Sequence, residues 1–366
     1  MTTMQSAVLR GPDPITMEEV TLHGPEAGEV LVRVVACGVC HSDLHTINRA
    51  RSGALPVPVI LGHEVGGVVE AVGSGVTSVA EGDHVVVAFR PNCGICYFCV
   101  RGEPHLCEQP DYPERAATGS NPRLRDAQGQ PVQQGIGVAG YSQYTVMPER
   151  GVVKVRKDAP LDRVCLVGCG VTTGVGAATR TAKVEPGSDV AVIGLGGVGL
   201  NVVQGARLAG ARRIIGVDMV AGKAELGAKF GMTDFVNASE VDPVARVQEL
   251  TNNRLDYAFE AIGLGKTVEQ AFAMVRRGGT AVVVGVVGQE VTVPGLAFLG
   301  EKRLVGSFFG SAKLQYDLPT YVDMYMDGRL NLDDLVSRKR PMHQINEAFQ
   351  DMEAGLVARS VMEPGA

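Results

Sequence analysis

The segment from Val190 to Asp218 limits the possible folds more than any other part of the chain. Val190 to Ile193 run into Gly194-Leu195-Gly196-Gly197-Val198-Gly199, a helical stretch follows to Ala209, and the apolar run Arg213 to Val217 ends in Asp218. This order is a βαβ unit. In G-x-G-x-x-G the glycines differ in what they permit. Gly194 allows the tight turn, Gly196 lets a pyrophosphate approach the backbone, and Gly199 lets helix pack on sheet. Asp218 is placed to accept from ribose hydroxyls. Its charge would repel a 2′-phosphate, and Met219 and Val220 offer no arginine to receive one, so the pattern favours NAD over NADP. Further apolar runs, Asp256 to Phe259 and Thr280 to Val287, alternate with helix-like segments and extend the reading to a doubly wound parallel sheet between about 173 and 311.

The first third has a different character. Val30 to Val35 and Val65 to Val72 are rich in β-branched residues, and Gly73-Ser74-Gly75 and Leu55-Pro56-Val57-Pro58 punctuate them. It reads as a β-rich, loop-rich unit, and the last ~55 residues return to a polar, mixed pattern. With 366 residues, about two domains are expected. Forty acidic against thirty-four basic side chains, a net charge of -6, and no basic tract argue against nucleic acid or an anionic membrane as partner. Glycines, Asn201 and Gln204 interrupt the uncharged stretch Val190 to Ala206, so no membrane span is expected. Met1 to Arg10 lack a secretory pattern, so the eight cysteines are expected to stay reduced in the cytoplasm and to serve as metal ligands.

Cys93, Cys96, Cys99 and Cys107 follow Cys-x2-Cys-x2-Cys-x7-Cys, a spacing that wraps four thiolates around one tetrahedral zinc. An iron-sulfur site also takes four cysteines; thiolate geometry favours zinc. Four thiolates leave no open position, so this site is structural and holds a lobe at about 90–110. Cys40, Cys169 and the run Gly62-His63-Glu64 could furnish a second, open Cys2His site. Spacing alone does not separate that set from a hydrogen-bonding histidine and small core cysteines. Cys37 and Cys165, each in an apolar stretch, read as core thiols.

These motifs, in this order, resemble the zinc-dependent alcohol dehydrogenases of the medium-chain dehydrogenase/reductase family. The likeness is carried by Cys37-Gly38-Val39-Cys40-His41-Ser42-Asp43, Gly62-His63-Glu64-Val65-Gly66-Gly67, and Cys165 to Gly176 leading into Gly194 to Gly199. The resemblance implies an α/β architecture: a GroES-like β-barrel catalytic domain at 1–172 and 312–366, and an inserted Rossmann domain at 173–311, with the chemistry in the cleft between them. It implies catalytic zinc on Cys40, His63 and Cys169, Asp43 behind His63, and Glu64 as a transient ligand. Zinc would activate an alcohol as a Lewis acid and NAD would take the hydride at C4. Ser42 would accept the alcohol proton and pass it through the ribose to His45, whose other reading is an exposed loop imidazole. Thr173 would approach the nicotinamide, Gly197 and Val198 would lie near the coenzyme, Lys223 would reach the adenosine ribose, and Arg359 would contact pyrophosphate. His41 stands where many relatives place an arginine against the same phosphates.

Phe89, four residues before Cys93, is either a wall of the substrate channel or a core aromatic. An apolar channel suits a primary aliphatic, aromatic or terpenoid alcohol, or a secondary alcohol. The glutathione-dependent formaldehyde branch, acting on S-(hydroxymethyl)glutathione, is the nearest alternative. The acidic groups it needs near the channel mouth are missing between Asp43 and Glu64, where Arg49 and Arg51 stand, and Glu108-Gln109-Pro110-Asp111 lacks the basic anchor. The two arginines could instead draw a carboxylate-bearing alcohol. A non-catalytic NAD- and zinc-binding sensor is the alternative of another class. The resemblance further implies a homodimer paired along the coenzyme-sheet edge near Thr280 to Val287, and the ~35 residues between Cys107 and Tyr144 fit the dimeric branch.

Overall fold

The computed structural model describes residues 1–55, 57–108 and 123–365. Pro56 of the punctuating cluster, Gln109, Pro110 and Asp111, and part of the stretch between Cys107 and Tyr144 lie outside the described residues. The chain forms two compact units, Met1–Cys169 with Lys313–Gly328 and Leu335–Ala366, and Gly170–Ala312 with Arg329–Asp334.

In the first unit, Thr2–Leu9, Thr16–Leu22, Leu124–Asp126, Pro131–Gln134 and Val59–Ile60 close a small barrel, shut by Val8 opposite Ile60. This is the barrel the resemblance implies. A larger sheet places Glu29–Gly38 between Glu64–Val72 and Arg359–Glu363, with Val336–Pro341 outermost on one side and His84–Val87 and Val152–Lys154 on the other. Tyr144–Pro148 also pairs with Glu29–Gly38. Alternation drives this packing: Val30, Val32 and Val34 turn inward to one core with Val65, Val85, Tyr141 and Phe349. Glu29–Gly38 against Glu64–Val72 matters most for function, because Gly38 pairs with Glu64 and sets the ends of both strands together, next to Cys40 and His63.

In the second unit six parallel strands run in the order Asp234–Asn237, Arg213–Asp218, Asp189–Ile193, Tyr257–Glu260, Thr280–Val283, Arg303–Gly306. Every residue of Asp189–Ile193 is buried, as expected of a central strand with both faces covered. The order reverses between Asp189–Ile193 and Tyr257–Glu260, and the glycine turn opens there, at the carboxyl end of the central strand. One expectation is corrected. Thr280–Val283 is an interior strand, paired on both sides, and the sheet edge on that side is Arg303–Gly306. Thr280–Val283 reads as an edge only if the short run at 303–306 is missed. No single helix among the described residues is long and apolar enough to cross a membrane.

Candidate active site and metal centres

Cys93, Cys96, Cys99 and Cys107 bring their sulfurs together with every pair within 4.8 Å. A tetrahedron with Zn–S bonds of about 2.3 Å has S···S edges of about 3.8 Å. Cys96 Sγ to Cys107 Sγ is 3.8 Å and Cys93 Sγ to Cys99 Sγ is 3.9 Å. Backbone N–H groups hold two of the thiols down: those of Glu108 and Cys99 bring Cys96 to about 6, and those of Ile95 and Cys96 lower Cys93, while burial pushes Cys99 up to about 12. Thiolate at neutral pH is what a zinc ligand needs. The short helix Tyr97–Val100 buries none of its residues, so this lobe draws little order from apolar packing.

The second cluster is buried. Cys40, His63, Glu64 and Cys169 place their ligand atoms within 4.8 Å of one another. Cys40 caps the helix His41–Arg51, His63 precedes the strand that begins at Glu64, and Cys169 follows the turn Cys165–Gly168. Glu64 is therefore in a strand, not a loop. Asp43 Oδ1 lies 3.1 Å from His63 Nδ1 and accepts from the Gly62 N–H at 3.0 Å. With Nδ1 so engaged, Nε2 is left for a ligand, and among the described residues it is buried with no hydrogen-bond partner. An orphan imidazole nitrogen beside two thiols is a donor set fit for zinc. Electrostatics agree: burial opposes charge on His63, but Asp43 and Cys40 outweigh it and push the imidazole well up. Cys169 donates to Cys40, pulling Cys40 well below the usual thiol range and pushing Cys169 above it. The site is built for positive charge.

Around this centre, Ser42 is half-buried with Oγ 3.8 Å from Cys40 Sγ, and His45 is exposed one turn along the same helix. His45 thus sits on a helix rather than in a loop, and His41, also exposed, opens that helix. Phe89 meets His63 edge to face at 5.4 Å while packing partly against the core. Arg359 is buried with Nε 3.5 Å from Glu64 Oε2 and a terminal nitrogen 3.9 Å from Cys40 Sγ. Cys37 and Cys165 are buried thiols, both pushed up first by burial.

In the second unit the glycine turn leads into the helix Gly197–Leu208. Gly194 has φ +93°, a Cβ on Gly199 would meet the Gly194 carbonyl oxygen at 1.8 Å, and a Cβ on Gly196 would meet nothing within 4 Å. The open space before Gly196, at the start of the helix Gly197–Leu208, fits a pyrophosphate. Asp218 Oδ2 accepts from the Leu195 N–H at 2.8 Å and from Lys223 Nζ at 2.9 Å, which holds the acid beside the turn. Val198 is half-buried on that helix and Thr173 half-buried on the helix Gly170–Gly176.

Two residues escape a reading of the sequence. A Cβ on Gly38 would meet Glu64 Oε2 at 2.2 Å, so this glycine makes room for the acid. Tyr141 donates its hydroxyl to Asp43 Oδ2 at 3.0 Å. Nothing in a tyrosine before a β-rich run signals a partner 98 positions earlier.

The Alcohol dehydrogenase GroES-like domain family matches residues 26–157 and the Zinc-binding dehydrogenase family residues 197–327. Alcohol dehydrogenase class-3 of Cereibacter sphaeroides is 41% identical over 375 aligned positions, covering 99% of this chain and all of the relative. The chain belongs to the zinc-dependent alcohol dehydrogenase family. It is an oxidoreductase acting on CH–OH donors, with NAD and zinc as cofactors. The dehydrogenase is also 40% identical to S-(hydroxymethyl)glutathione dehydrogenase of Paracoccus denitrificans, over 99% of the chain and all of the relative. Among solved structures, benzyl alcohol dehydrogenase of Acinetobacter calcoaceticus superposes with a TM-score of 0.90 at 31% identity, covering 99% of both chains.

Proposed function

We propose that the dehydrogenase oxidises primary alcohols to aldehydes at the Cys40, His63 and Cys169 centre, with the four-cysteine site as a structural zinc. The observation that carries this is the partnerless Nε2 of His63, buried beside two thiols while Asp43 fixes Nδ1. When bound, zinc supplies Lewis-acid activation of an alcohol and NAD supplies the hydride acceptor. The chain's own residues do the rest. Ser42 takes the alcohol proton, and exposed His45 releases it to solvent. Glu64, paired with Arg359, is held at the edge of the donor set, from where it can replace a leaving ligand. Lys223, Asp218, Thr173, Val198 and the glycine turn bind the coenzyme.

Phe89 against His63 gives the centre an apolar wall, which favours a benzylic or aliphatic alcohol. The Paracoccus relative favours S-(hydroxymethyl)glutathione instead. Exposed Arg49 and Arg51, standing where that branch needs acidic groups, would draw a carboxylate-bearing alcohol instead. The test is kcat/KM for benzyl alcohol, hexanol and S-(hydroxymethyl)glutathione by NADH absorbance. A value at least tenfold higher for the simple alcohols supports the first reading, and the reverse order establishes the second. Turnover of none, with zinc and NAD bound, would favour the sensor.

A cytoplasmic homodimer completes the proposal. All eight cysteines are free thiols, as suits a reducing compartment. Exposed Leu296, Phe298 and Leu299 lie just before the edge strand Arg303–Gly306, which a second copy would cover. Light scattering at one subunit mass would refute the dimer.

A further inference from the structure

Tyr141 is fully buried and fixed along its whole length. Its N–H donates to Leu61 O at 2.9 Å, its carbonyl accepts from the Ala7 N–H at 2.9 Å, and its ring stands edge to face with Phe349 at 6.1 Å. A Cβ on Gly62 would meet the ring at 2.7 Å, so the tyrosine packs directly against the residue before His63. At the end of this rigid arm the hydroxyl reaches Asp43 Oδ2 at 3.0 Å, and the Gly38 carbonyl oxygen is farther, at 3.4 Å.

Asp43 needs that hydroxyl. Its Oδ1 already serves the Gly62 N–H and His63 Nδ1, and the carboxylate has no access to water. Held at one oxygen only, a carboxylate can rotate about its terminal torsion, and the imidazole it orients rotates with it. A donor on Oδ2 stops the rotation and satisfies the last buried acceptor. Burial, and then the Asp43 charge, push the phenol well above its usual range, so it stays a donor.

We propose that the Tyr141 hydroxyl is a positioning group for the open metal site, fixing Asp43 and, through it, the plane and tautomer of His63. The inference rests on Cys40, His63 and Cys169 holding zinc. It is tested by the rate at which a chelator withdraws zinc from the holoenzyme, with the four-cysteine site as reference in the same sample. Tyr141→Phe keeps the ring and removes only the hydroxyl. Direct partners of metal-binding histidines alter metal affinity by about 10- to 100-fold, so one shell further out we expect open-site release to quicken about 3- to 10-fold. Four-cysteine release should stay within about twofold. In an Asp43→Asn background the same change should add less than about twofold, because the route through Asp43 is already broken. Cys37→Ala, a truncation in the same core that leaves the hydrogen-bond chain intact, separates loosened packing from lost positioning.

Three results would overturn the proposal: open-site release unchanged by Tyr141→Phe, open-site release quickened no more than by Cys37→Ala, or effects that multiply in the double variant. A wild-type protein with zinc at the four-cysteine site alone would remove the underlying site reading. That failure shows in the metal count before any chelator is added.

Discussion

Gly196 and Gly199 lie three residues apart in one turn, yet the same substitution should have opposite effects at the two. At Gly199 an added Cβ would sit 1.8 Å from the Gly194 carbonyl oxygen and 2.9 Å from its carbon, both backbone atoms of a tight turn. Reaching ordinary contact requires a shift of about 1.5 Å between helix and strand. Overpacking of this kind costs about 1–3 kcal/mol or more, which for a unit of this size lowers Tm by roughly 3–10 °C. At Gly196 a Cβ meets nothing within 4 Å, and φ −83°, ψ −172° is extended backbone open to any residue. Gly196→Ala should therefore fold with a stability change within about 0.5 kcal/mol. The methyl group would occupy the pyrophosphate's approach. Losing one charged hydrogen bond, about 1.5–3 kcal/mol, weakens NADH binding about 10- to 100-fold. Scanning fluorimetry gives the first quantity and an NADH fluorescence titration the second. Wild-type NADH affinity in Gly196→Ala, or a wild-type melting curve in Gly199→Ala, would refute this division of labour within the turn.

Cys107→Ser should reduce bound zinc from two per chain to one and open the lobe near 97–106 to proteolysis, measured by elemental analysis and limited digestion, because that lobe has little apolar packing. His45→Ala should slow turnover about tenfold and regain rate with added imidazole buffer, whereas Ser42→Ala should lose about 100-fold without rescue, both read by NADH absorbance. Asp351 is held low chiefly by Arg340, with Arg338 assisting against burial. A depressed folded-state pKa stabilises above the unfolded value near 3.9 and is lost as pH falls through the folded value. Asp351→Asn should thus cost about 1 kcal/mol at pH 7, and the gap in urea midpoint should close as pH drops below about 4.

What could be read from the sequence was local or repetitive. The turn at 194–199, Asp218 and the four cysteines between 93 and 107 lie within short stretches whose spacing already implies their geometry. Cys40, His63 and Cys169 are farther apart, and only the family resemblance joined them before the strand ends at Gly38 and Glu64 did so in space. Long-range polar contacts left no trace. Arg359 meets Glu64 because the strand Arg359–Glu363 adds to Glu29–Gly38, a pairing that periodicity in a mixed polar segment cannot show. Tyr141 reads as a core aromatic, and is one, except for its hydroxyl. The sheet edge was misplaced because Arg303–Gly306 is four residues long and none of them is fully buried, so it carries no strong apolar signal.

In the proposed mechanism His63, with Cys40 and Cys169, holds the zinc that activates the alcohol. This is tested most directly by His63→Ala, assayed together for zinc content, NADH binding and NADH formation from the best alcohol. The variant should carry one zinc per chain, bind NADH within about threefold of wild type, and turn over at least about 1,000-fold more slowly. Two retained zincs with wild-type turnover would contradict that mechanism.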